Sequence, residues 1–307
     1  MTLSTLFSRD PIKVDGGVWD FIGTADADYC QNFGSQWNHF RSIQIDALSD
    51  KAESHARFFS ETGWSPEWLS GKLLLDAGCG AGRFADVAMD CGARVVAVDL
   101  SEAAWACRKT LDRFPEKDYL VVRASLFDLP FRKSAFDGIY SLGVLQHTPD
   151  PLGAIKCLTS FLVPGGRLAT WIYERRARDI SLFQPRTWIR WAMAHQSSAR
   201  KLKLSRLLTT VGFPVGWGLS WFGRFGERAS QFLPYAARHH LGRGDLRRQW
   251  DYSVMDTFDW YGPLYDQPQS EAEVTRTMEE SGLINVRRLP ARGMAVMGEA
   301  PEFSEVN

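Results

Sequence analysis

Short apolar runs alternate with helix-length amphipathic stretches through residues 72–174. Lys72–Asp76 (KLLLD) reads as a buried strand, and Gly82–Asp90 as a helix. Arg94–Val98 (RVVAV) reads as a second strand, and Ser101 can cap a helix running to about Arg113. Tyr119–Arg123 is a third strand and Phe136–Ser141 a fourth. Asp150–Leu162 has a helical pattern. Arg167–Tyr173 is a fifth strand after the turn Pro164-Gly165-Gly166. Near the end, Ser270 can cap a helix to Ser281, and Ile284–Leu289 and Met294–Met297 read as the last two strands. Strands spaced by helix-length segments predict a mostly parallel sheet with right-handed crossovers and helices on both faces.

Composition divides the chain into four stretches: 1–71, rich in aromatics and turn residues; 72–174, the alternating core; 175–250, basic and rich in tryptophan; and 251–307, which completes the core. Lys+Arg and Asp+Glu are equal at 36 each, so net charge gives no whole-chain argument for nucleic acid. Cys30, Cys79, Cys91, Cys107 and Cys157 are scattered and form no Cys-x-x-Cys pair. That suits a reducing cytoplasm better than a disulfide framework or a zinc site. Met1–Asp10 lacks an apolar run of signal-peptide length, and no stretch reaches about 18 uninterrupted apolar residues. The expectation is a cytoplasmic protein with no metal site.

The loop Gly78-Cys79-Gly80-Ala81-Gly82 joins the first strand to the first core helix. Glycines let backbone turn sharply and approach a ligand, and a helix N-terminus offers unpaired N–H groups. Dinucleotide enzymes share such loops, so the neighbouring acids decide. Asp76, two residues before Gly78, would repel a pyrophosphate and tolerate an ammonium group. Asp99 ends the second strand, where an acid accepts from both ribose hydroxyls; capping the next helix is the alternative.

These motifs resemble those of class I, Rossmann-like methyltransferases. Leu73–Phe84 (LLLDAGCGAGRF) is similar to the family's first motif, and Val95–Ser101 (VVAVDLS) to its second. Leu129-Pro130-Phe131, Phe136–Ser141, Val144–Pro151 and Leu162–Leu168 follow in the family's order. The resemblance covers about 72–174, leans toward quinone and small-molecule enzymes, and implies a seven-stranded sheet with S-adenosylmethionine as cofactor and S-adenosylhomocysteine as product. It places the cofactor on Asp76, Gly78, Cys79, Gly80, Gly82, Arg83 and Phe84, on Asp99, Leu100 and Ser101, on Ser125, Leu126 and Phe127, and on Ser141. One position departs. Where the family carries an acid for the adenine amino group, this chain has Ser125 or Leu126, with Asp128 the nearest carboxylate.

Such a cofactor brings its own activated methyl group, so the protein must align the reactants, exclude water and sometimes take a proton. His147, in the loop after the fourth strand, is the candidate base, or else a structural histidine that caps the next helix or touches the cofactor. Asp256–Asp266 (DTFDWYGPLYD) packs four aromatics and three acids into one segment, so Tyr261 and Tyr265 are candidates to wall or serve an acceptor pocket. In the segment Tyr29–Arg41, Phe33 and Trp37 could share a helix face over the cofactor, with Arg41 meeting the methionine carboxylate; a helix docked on the sheet is the alternative.

Residues 175–250 hold basic side chains from Arg175 to Arg248 against only Asp179, Glu227 and Asp245. Leu207–Gly223 carries no charge and is bracketed by Arg206 and Arg224. Four readings stay open: a helical lid whose arginines meet an anionic acceptor group, peripheral contact with a membrane, RNA binding, or a solvated packing cap. Pro214 and the glycines at 212, 216, 218 and 223 argue against a continuous spanning helix. The expected activity is methyl transfer to an O, N or C atom of a small natural-product or quinone-like molecule. The alternatives are an RNA methyltransferase and an inactive cofactor-binding partner subunit.

Overall fold

A computed structural model describes residues 2–23, 34, 45–46, 53–175, 185–193, 195–230, 232–236 and 246–302. Nine strands form one sheet: β1 Lys13–Asp15, β2 Val18–Asp20, β3 Leu73–Ala77, β4 Arg94–Asp99, β5 Tyr119–Arg123, β6 Phe136–Leu142, β7 Leu162–Ile172, β8 Ile284–Arg288 and β9 Met294–Glu299. Their spatial order is β1-β2-β5-β4-β3-β6-β7-β9-β8. Pairing is parallel from β2 through β7 and antiparallel at β1–β2, β7–β9 and β9–β8. The chain reverses its direction of travel across the sheet at β3, the place where α/β sheets open a crevice at their carboxyl edge.

The seven expected strands are β3 to β9. The two additional strands form a hairpin on the β5 edge, closed by Gly16 and Gly17, both at positive φ. Three-residue strands are too short to show a period of two, although a Gly-Gly turn was the available signal. β7 also begins earlier than expected, at Leu162, and the Gly165-Gly166 turn bulges out between the pairs Phe136–Leu162 and Gly138–Arg167.

Side chains alternate across the sheet as a period of two requires. Leu75, Ala77, Val96, Val98 and Val122 face one core, which includes Ile155 and Leu158 of helix α5 (Pro151–Thr159) and Val274 and Met278 of α10 (Glu271–Glu280). Leu74, Val95, Ala97, Val121 and Tyr140 face the other, beneath α1 (Glu53–Thr62), α3 (Arg83–Asp90) and α4 (Ala103–Leu111). The short α2 (Pro66–Leu69) leads into β3. Ser270 caps α10 in a reciprocal capping box with Glu273, as its sequence suggests.

The insertion adds α6 (Pro185–Met193), α7 (Ser198–Ser220) and α8 (Gly223–Ser230), and α9 (Leu246–Tyr261) returns the chain to the sheet. α7 runs for 23 residues with Pro214 inside it. Among the described residues, no helix is long and apolar enough to cross a membrane. α9 runs through residues that the sequence reading left as an aromatic segment, because its apolar positions alternate with acids and hide the helical repeat.

Leu75 sits fully buried at the centre of the sheet. Leu75→Ala is expected to lower unfolding free energy by about 2–5 kcal/mol, measurable by denaturant titration.

Candidate functional site

The loop after β3 is held open by its own backbone. The amides of Gly78 and Cys79 both donate to the Val98 carbonyl, at 2.8 and 2.9 Å. Gly78 has φ +94°, and a Cβ there would run into both methyls of Val144. The loop then turns away from β4 and enters α3.

Asp99 at the tip of β4 locks this turn. Its Oδ2 accepts from the Gly80 amide at 2.9 Å, and its Oδ1 accepts from the Ser101 amide and hydroxyl at 2.8 and 2.7 Å. Burial raises its pKa above the usual carboxylate range, against the lowering effect of those donors. Ser101 Oγ in turn accepts from the Ala103 amide. Asp99 thus braces the start of α4 and still faces the cavity beside the loop.

That cavity measures about 250 Å³ and lies at the carboxyl ends of β3, β4 and β6. Gly78, Cys79, Gly80, Arg83, Phe84, Asp99, Leu100, Leu126 and His147, all named from the sequence, line it. Other expected residues are placed elsewhere. Gly82 starts α3 in a left-handed conformation packed over Cys107. Ser101 is buried as a brace, and Ser141 donates to the Ala77 carbonyl inside the sheet. Ser125 accepts from the Phe127 amide, and the Phe127 side chain is exposed. Asp128 is gripped by Arg9 through both carboxylate oxygens, at 2.9 and 2.6 Å, on the outside of the molecule. It therefore does not replace the missing adenine acid. Trp37 and Arg41 lie outside the described residues.

Asp76 is not a cavity residue. It is 2% exposed and lies on the face covered by α1, α3 and α4, next to Tyr140, its neighbour on β6. Burial pushes its pKa up from 3.8 to about 8, Tyr140 and the Ala85 amide draw it down, and Asp99 raises it. The expected direct grip on an ammonium group gives way to a carboxyl buried beneath the loop.

Two guanidiniums face the cavity. Arg83 donates to Ser54 at 3.2 Å, and burial, with Arg57 nearby, lowers its pKa to about 10. Arg57 pairs with Glu61 and lies over the rings of Phe84 and Trp171. Sequence reasoning missed Arg57, since an Arg-Glu pair at i,i+4 reads as ordinary helix surface.

The far end of the cavity is formed by His147, Trp171, Tyr173, Met255, Asp256 and Asp259. Asp256 and Asp259 are one turn apart on α9, so both reach the same side. Tyr173 Oη approaches Asp259 Oδ2 at 3.4 Å, and burial together with Asp259, Asp266 and Asp256 holds the phenol well above its usual pKa. The expected lining residues of this segment were Tyr261 and Tyr265. Instead Tyr261 is buried and donates to the Pro234 carbonyl, and Tyr265 contributes its backbone. Among the described residues of the insertion no basic side chain lines the cavity, and Arg190 is paired with Asp266.

His147 is oriented by the chain that follows α9. The Gln267 amide donates to the Gln146 carbonyl, and the Gln267 side chain donates to the carbonyls of Thr148 and Pro149. This sets the Tyr265 carbonyl 3.0 Å from His147 Nδ1. A carbonyl only accepts, so in the neutral ring Nδ1 carries the proton and Nε2 the lone pair. Asp150, not His147, caps α5. Among the described residues no group of His, Cys, Asp and Glu is placed to hold a metal ion, and Cys79, Cys91, Cys107 and Cys157 are free thiols.

Residues 75–170 match the family model described as a methyltransferase domain. The chain is similar to the ubiquinone biosynthesis O-methyltransferase of Xanthomonas campestris pv. campestris (strain B100), 37% identical over 103 residues, which cover 33% of this chain and 42% of that protein. It is also similar to the protein of that name from Methylocella silvestris, 30% identical over 144 residues, covering 45% and 55% respectively. The matched part thus spans about half the length of these relatives. Among solved structures, magnesium protoporphyrin IX methyltransferase from Synechocystis PCC 6803 with bound SAH aligns at 16% identity and TM-score 0.48, over 89% of this chain and 97% of that one.

Two outcomes follow from the loop and the buried acid. Gly78→Ala is expected to abolish small-molecule binding in the cavity, because both the positive φ and Val144 oppose a side chain. Calorimetry on the folded variant checks this. Asp76 binds its proton more tightly folded than unfolded, so its contribution to stability falls as pH rises from about 4 to about 8. The difference in Tm between the parent and Asp76→Asn should therefore shift in favour of the variant as pH is raised across that window.

Proposed function

We propose that this chain, whose residues 75–170 match a methyltransferase domain, is a class I, Rossmann-like, S-adenosylmethionine-dependent methyltransferase acting on a small organic acceptor. The observation that carries this is one cavity with a glycine loop and Asp99 on one side and Arg57 and Arg83 on another. That donor set fits a nucleoside joined to an amino-acid tail. Leu100 and Leu126 would hold the adenine, Asp99 the ribose hydroxyls, and the two guanidiniums the carboxylate.

When bound, S-adenosylmethionine supplies a methyl group on a positive sulfur. The chain supplies the rest. Val144, Trp171 and Met255 exclude water, and His147 Nε2 receives the proton of an acceptor hydroxyl or amine. Asp256 and Asp259 stand at the far end of the cavity as hydrogen-bond acceptors, which suits an acceptor molecule that presents hydrogen-bond donors. The name of the matched relatives supports an oxygen on a quinone-like aromatic ring as the methylated atom.

Calorimetry with S-adenosylmethionine, followed by S-adenosylhomocysteine release on phenolic and amine acceptors, tests the reading. Saturation by a nicotinamide or flavin dinucleotide, with no binding of the sulfonium compound, would sink it. His147→Ala is expected to lower kcat by roughly 10²–10⁴-fold with cofactor affinity kept. Asp99→Ala should instead weaken cofactor binding by about tenfold or more.

A further inference from the structure

α7 is built inside out. Its buried positions are Lys201, Ser205, Thr209, Gly212 and Gly216, spaced three or four apart and turned toward the protein. They are small or polar. Thr209 meets Thr257 of α9, Lys201 Nζ donates to the Gly262 carbonyl at 2.8 Å, and Tyr235 covers Gly212 and Gly216 so closely that neither could carry a Cβ. The outward positions are Leu207, Val211 and Val215, each half exposed or more. The apolar surface continues through Trp217 and Trp221 into Phe222 and Phe225, with Trp221 75% and Phe225 74% exposed.

A helix facing water places these residue types the other way round. Small residues between helices and large apolar residues outside is the arrangement suited to an apolar surround. An exposed apolar patch of this kind marks an interaction surface. α7 cannot span a bilayer, so the surround must be met from one side.

Charge identifies what covers the patch. From Ser198 to Ser230 the sequence holds Arg200, Lys201, Lys203, Arg206, Arg224 and Arg228 against the single acid Glu227. Lys203, Arg206, Arg224 and Arg228 are exposed, so the apolar tip is ringed by cations. A second copy of the chain would set arginines against arginines. An anionic, apolar-cored surface complements both features.

We propose that the outer face of α7 and α8 docks on an anionic lipid bilayer, with the Leu207–Phe225 surface in the boundary between headgroups and acyl chains and the flanking arginines on lipid phosphates. The inference goes beyond the methyl-transfer reading and does not depend on it.

The test is co-sedimentation of the full chain with phosphatidylcholine vesicles, with and without phosphatidylglycerol. The protein should pellet with the anionic vesicles and much less with the neutral ones. The triple variant Trp221→Ser, Phe222→Ser, Phe225→Ser should partition about tenfold more weakly or worse. Arg224→Glu with Arg228→Glu should cost about tenfold on anionic vesicles and little on neutral ones. Brominated lipids should quench the parent's tryptophan fluorescence, a readout that needs no variant. A parent protein that stays in the supernatant overturns the proposal, as does unquenched fluorescence. So does equal vesicle binding by a triple variant that retains the parent's unfolding temperature. A dimer seen by light scattering and abolished in that variant would reassign the face to self-association.

Discussion

The carboxylate of Asp99 ties together the two loops that open the cavity. One oxygen holds the Gly80 amide and the other holds Ser101 at the start of α4. The Gly78 and Cys79 amides already hold the start of the glycine turn to the Val98 carbonyl of β4, and Asp99 extends that link to Gly80. With it, the direction of the loop backbone, the start of α4 and the position of an acceptor for two hydroxyls are set by one group. The burial that raises its pKa is what three hydrogen bonds must offset, two from the backbone of Gly80 and Ser101 and one from the Ser101 hydroxyl.

How much of this was legible depends on what each residue's signal is made of. β3, β4 and β5 are continuous apolar runs, which parallel buried strands require, and they fell where the pattern put them. The Gly78–Gly82 loop and Asp99 were legible because turn chemistry is local. The β1–β2 hairpin was not, since three residues pack against β5 only once the whole sheet exists. Arg57 was hidden because its neighbours in the cavity, Phe84 and Trp171, are distant in sequence. Asp76 was read as a ligand contact from its distance to Gly78. Its side chain instead packs beside Tyr140 beneath the start of α3, buried under the loop, a depth that spacing along the chain does not reveal. Tyr261 and Tyr265 drew notice as aromatics, whereas the acids between them and Met255 are what reach the cavity, because α9 is a helix and presents every third or fourth residue.

The insertion shows the converse. Its charge asymmetry and the uncharged run from Leu207 to Gly223 were plain in the sequence, yet the direction each side chain takes was not. Among the described residues, Arg190 pairs with Asp266, and Arg206, Arg224 and Arg228 lie exposed on the outer side. The inverted pattern of α7 appears only when burial is known, because Ser205, Thr209, Gly212 and Gly216 look like a polar face until Tyr235 and Thr257 cover them.

Thr257 stands on α9 directly between Asp256 and Asp259, and it carries hydrogen bonds from Thr209 and from the Ala236 amide. The same shaft thus touches the outer helix on one flank and aims two carboxylates into the cavity from the other. The outermost apolar helix and the acidic wall of the cavity share one rigid element, with Thr257 separated from both carboxylates by less than a turn.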